Sequence, residues 1–153
     1  MEDLLSSYFW AFALVIGVVN FFIVRQRAVR EMAKKPELRE GYEKLLRGYA
    51  VATNLPWVVM GLGMLLGGVP SIWSFFRPRD GNPFVLAWYV TVIAVNTIVS
   101  LWVLLQGGAD FLVAHPGIVR GQSSAAIKLQ FGLGLVGMAV FVGMLWFSNL
   151  PIG

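Results

Sequence analysis

The chain has 153 residues, a net charge of +4 and a hydrophobic share of 58%, against roughly 45–50% for an ordinary soluble domain. Its mean hydropathy of +0.72 marks a membrane protein. With no cysteine and a single histidine, His115, it excludes disulfides, thiolate sites and a cysteine nucleophile, and no metal site is readable within one chain.

Four apolar runs, 8–24, 48–69, 84–106 and 129–150, each approach the ~20 residues that cross ~30 Å of hydrocarbon. Backbone groups in lipid must be satisfied within their own segment, so each run is predicted to be a helix. The expected fold is all-α, a single four-helix transmembrane domain over 1–153.

The first run follows Glu2 and Asp3 instead of basic residues, and no small-residue cleavage site follows it. It is therefore expected to remain as a helix and not to act as a signal peptide. Ala13, Gly17 and Asn20 share one stripe on it.

The first connection, "RQRAVREMAKKPELREGYEKLLR", holds Arg25, Arg27, Arg30, Lys34, Lys35, Arg39, Lys44 and Arg47, eight of the twelve basic residues. Within it Leu38, Tyr42, Leu45, Leu46 and Tyr49 recur with helical spacing after Pro36, and Glu40–Lys44 and Glu43–Arg47 stand four apart. This predicts a cytoplasmic amphipathic helix lying on the inner surface and running into the second span.

"ATNLPWVVMG" opens the second span with Asn54 and Pro56. Pro56 lacks an N–H and so frees the carbonyl of Ala52. Asn54, Gly61 and Gly68 share one face, while Gly63 and Gly67 form a GxxxG pair on another, so this helix is expected to pack on both sides.

The outer connection, "GGVPSIWSFFRPRDGNPFVLAW", reads as a turn, an interfacial piece carrying Trp73, Phe75 and Phe76 as headgroup anchors, and a second turn at Asp80–Pro83. Tyr89, Asn96, Ser100 and Val103 share a face of the third run. After it comes "GGADFLVAHPG", where Asp110 and His115 stand near the inner end of the third helix and His-Pro-Gly closes that end. On the fourth run Gly132, Ala139 and Gly143 share one face, and Gln130, Gly134 and Gly137 another.

The third connection adds Arg120 and Lys128, whereas the second has only Arg77 and Arg79. The positive-inside rule therefore places the first and third connections in the cytoplasm and both termini outside. On this reading the protein is multi-pass in the cell's inner (plasma) membrane. Its positive charge follows from topology and from contact with membrane lipid, and no nucleic-acid partner is implied.

In lipid, close approach at small residues and amide hydrogen bonds hold helices together. Gly17, Gly61, Gly63, Gly67, Gly132 and Gly143 are the candidate packing positions, and they point to a homo-oligomer or a larger membrane complex. With the termini outside, Asn20, Asn54, Gln106 and Gln130 fall at one depth on the cytoplasmic side and form a candidate polar layer. No acidic or basic residue lies deep in a span, which speaks against a proton-coupled carrier or a voltage sensor.

Four helices in this length, a basic first cytoplasmic loop and three short stretches resemble the membrane-associated proteins in eicosanoid and glutathione metabolism. "YEKLLRG" looks like that family's Glu-Arg-x-x-Arg-Ala motif, with Glu43, Lys44 and Arg47 at the matching positions. "GNPFVLAW" is similar to its Asn-Pro start of the third helix, and Arg120 stands where the family stabilises a glutathione thiolate. Val51 and Asn54 replace the motif's following Asn and Glu, and the third run lacks the family's arginine and inner tyrosine.

The primary expectation is a structural or accessory subunit that self-associates or joins a complex, with no catalytic residue and no cofactor. The resemblance implies a second one, a glutathione-dependent membrane enzyme or binding protein with Arg47 and Arg120 as anion-binding groups. A third is a small pore or carrier at an oligomer axis, lined by Asn20, Asn54 and Asn96.

Overall fold

The computed structural model describes residues 2–118 and 123–147. The described residues form five α-helices: α1 (Glu2–Lys34), α2 (Arg39–Leu66), α3 (Pro83–Leu105), α4 (Gly108–Ala114) and α5 (Ser124–Phe147). Single 3-10 turns stand at Pro36–Leu38, Ile72–Phe76 and Pro78–Asp80. All but α4 are long and apolar enough to cross a membrane.

The 33 residues of α1 reach about 50 Å at ~1.5 Å per residue, well beyond ~30 Å of hydrocarbon. Its final ten residues, Arg25 to Lys34, continue the helix past the apolar run as a charged extension. That extension reshapes the first connection. The amphipathic segment after Pro36 is continuous with the second span as α2, and it packs along the α1 extension. Tyr42 and Leu46 are buried against Val24 and Ala28. A long neighbour offers that apolar stripe a partner.

Pro56 lies inside α2 without ending it. α2 stops at Leu66, where the Gly67 N–H donates to the Gly63 carbonyl.

The second connection, expected outside and called outer for that reason, also departs from its expected role. Phe75 is 1% exposed and belongs to the core, whereas Trp73 is 50% exposed. The Tyr89 hydroxyl donates to the Phe75 carbonyl at 2.9 Å, which fixes the 3-10 turn to α3. Asn82 then caps α3, its side-chain oxygen accepting from the N–H groups of Phe84 and Val85, with Pro83 in the first turn. An Asx cap followed by proline is a standard helix start.

Among the described residues the core lies in three pieces. Near the outer connection, Met60, Val69, Phe75, Val85, Tyr89 and Leu145 join α2, the turns, α3 and α5, and Trp10 of α1 packs onto them. At the other end, expected to be the inner one, one cluster unites α1 with α2, and another unites α3, α4 and α5 through Val103, Ala109, Leu112 and Ile127. Ile118 touches both inner clusters, so the segment after α4 ties the two helix pairs together.

Candidate functional site

The amide expected to face a polar layer meets a glycine instead. Asn54 is held by its own helix: Nδ2 donates to the Ala50 carbonyl at 2.8 Å and to the Thr53 hydroxyl oxygen at 3.1 Å, while that hydroxyl donates to the Tyr49 carbonyl. Its Oδ1 is buried without a hydrogen-bond partner and lies directly against Gly17 of α1. A Cβ at position 17 would collide with it. The hydrogen that glycine carries there instead points at the oxygen, a Cα–H···O contact of the kind that recurs between closely packed helices.

Beside this contact a groove of about 350 Å³ runs between α1 and α2, lined by Phe9, Phe12, Ile16, Asn20, Thr53 and Trp57 among others. Asn20 is exposed within it. The structure thus brings Asn20 and Asn54 to one interface. Gln106 and Gln130 are exposed elsewhere, at the end of α3 and on α5, and neither side chain is hydrogen-bonded among the described residues. Asn96, on α3, is exposed and bonds back to the Val92 carbonyl.

The other packing glycines differ in what faces them. Gly61 lies under the Trp10 indole, where a Cβ would come within 2.6 Å of the ring, and Gly63 approaches the Phe84 Cβ and the Phe75 ring. Gly67 lies against the Phe84 ring. At Gly132, Gly134, Gly137 and Gly143 a Cβ would meet nothing within 4 Å.

At the inner end, the turn at Gly107 (φ +77°) leads into α4, and the segment after α4 folds over the start of α2. The Tyr42 hydroxyl donates to the Pro116 carbonyl at 2.7 Å. His115, 5% exposed, lies between the Tyr42 and Phe111 rings. Its Nδ1 is 2.8 Å from the Phe111 carbonyl, which can only accept, so Nδ1 carries the proton. Nε2 faces Gly41, which has no side chain to displace it. Asp110 accepts from the Ser124 hydroxyl instead of facing His115, and so joins α4 to α5.

A second cavity, of about 560 Å³, opens on the α1 extension and is lined by Arg27, Arg30, Glu31, Ala33, Lys34 and Gly117. Lys34 pairs with Glu31 at 2.7 Å. Arg27 and Arg30 have no ion-pair or hydrogen-bond partner among the described residues. Gly117 (φ +95°) brings its backbone against Arg27, forming the opposite wall. Arg47 is exposed on α2 and outside this cavity, and Arg120 lies outside the described residues. The sequence does not single out this cavity, because its basic residues merge into the general charge of the loop. Their spacing, 27, 30 and 34, was the available signal, since it places all three on one helix face.

No family model, curated protein or solved structure matches this chain. Among the described residues no group of His, Cys, Asp and Glu is arranged to hold a metal ion.

Proposed function

We propose that the protein is a structural or accessory subunit of the inner membrane that pairs with a second copy of itself through α5. The observation that carries this reading is the open small-residue face of that helix. Of its 24 residues only Ile127 and Leu145 are buried, and Gly132 and Gly143 have empty space where side chains would stand.

Gly132, Ala139 and Gly143 share a stripe on which another helix backbone can approach closely. Lys128, near the start, is the sole charged residue of α5. Two copies can therefore meet face to face without like charges along the span, and a two-fold pair uses the same surface twice. The polar groups that could otherwise do chemistry serve structure: Tyr42, Asp110 and His115 each bond within the inner cap.

Native mass spectrometry in mild detergent tests this. The parent is expected as a dimer or higher species, and Gly132→Leu/Gly143→Leu as a folded monomer, because a Cβ at either position meets nothing of the chain within 4 Å. A parent that is monomeric, or a double variant that associates like the parent, would overturn the reading.

A further inference from the structure

The groove and the basic cavity lie along the same side of α1. Asn20, Arg27 and Lys34 recur every seven residues, two turns apart, with Phe9, Ile16, Ile23 and Arg30 close to the same line. The groove residues Phe9 to Asn20 span about 16 Å of helix within the apolar run. Ile23, which is exposed, continues the line, and the cavity begins at Arg27, one turn further.

An apolar furrow followed by a basic cavity is complementary to an amphiphile with an anionic head. Inside the cavity Glu31 and Lys34 neutralise each other, leaving the two arginines to set its charge. Guanidinium forks suit phosphate oxygens, and basic pockets beside transmembrane helices bind phospholipid headgroups.

We propose that this face of α1 is a binding site for an anionic phospholipid: Arg27 and Arg30 hold the headgroup phosphate under the Gly117 segment, and one acyl chain lies in the groove between α1 and α2. Lys34 keeps Glu31 turned away from the phosphate. Asn20, otherwise without a partner among the described residues, stands on the path between the chain and the head, at the depth of the lipid's ester groups.

The test uses the full chain purified in detergent, with phosphatidylglycerol and phosphatidylcholine of the same acyl composition added in equal amounts and retained lipid counted by native mass spectrometry. Both lipids carry the phosphate, but choline would bring a cation against Arg27 and Arg30, so the parent should retain phosphatidylglycerol in preference by about tenfold or more. Arg27→Gln/Arg30→Gln should lose that preference, and Ala13→Phe, which fills the groove, should retain less of both lipids.

Equal retention of the two lipids by the parent would overturn the proposal, whatever the variants do. An unchanged preference in the double variant would also overturn it. So would displacement of the lipid by glycerol phosphate at equal concentration, since the cavity would then be a site for a soluble phosphate and the groove irrelevant.

Discussion

Gly17 and Asn54 meet because each supplies what the other needs. The asparagine carries its amide into the interface already bonded to its own helix, and only a residue without a Cβ can come up against the exposed oxygen. Gly17→Ala should therefore destabilise the fold by about 1–3 kcal/mol through overpacking. The amide is tethered by two hydrogen bonds and cannot simply swing aside. Adding Asn54→Ala should return most of that loss, because the obstructing atoms are gone. The pair is a double-mutant cycle, read by thermal unfolding in detergent. Additive losses would show that the two positions do not touch.

At the scale of elements, the inner end depends on α2 reaching well beyond the second apolar run. Its first turns carry Tyr42 to the segment after α4, so α2 holds in place a connection that belongs to the other helix pair. Tyr42→Phe deletes one hydrogen bond and little else, at a cost of about 0.5–1.5 kcal/mol. The loss should be local. Hydrogen exchange should rise at residues 115–118 and stay unchanged in the outer core around Met60 and Phe75, whose contacts lie at the far end of the helices. Uniformly faster exchange would mean that the inner cap and the outer core unfold as one unit.

For the whole molecule, orientation follows from charge. The α1 extension and the start of α2 carry the basic residues of the first connection, and these are expected in the cytoplasm. Because the chain has no cysteine, Glu37→Cys and Asp80→Cys can each be probed with an impermeant thiol reagent in intact cells. Both positions are exposed. Labelling should appear at position 80 and not at position 37, and the reverse pattern would invert the protein. Asp80 is preferred over its neighbour Gly81, whose φ of +72° would strain any other residue.

Four helices long and apolar enough to cross a membrane, and the all-helical class of the described residues, were legible in the sequence, because each depends only on the local length of apolar chain against a fixed bilayer thickness. Asn82-Pro83 announced the start of α3 for the same reason: a cap acts on its own next few residues. Which faces meet was another matter. In a soluble helix the buried side is the apolar side, but in lipid every side is apolar and the periodicity no longer marks the interior. The sequence could align Asn20, Asn54, Gln106 and Gln130 by depth, yet only the tertiary arrangement put the first two on the α1–α2 interface and left both glutamines outside it. In the same way, the amphipathic stripe of Tyr42 and Leu46 showed that an apolar partner was needed, and the charged extension of α1, standing beside it in three dimensions, decided that the partner was protein.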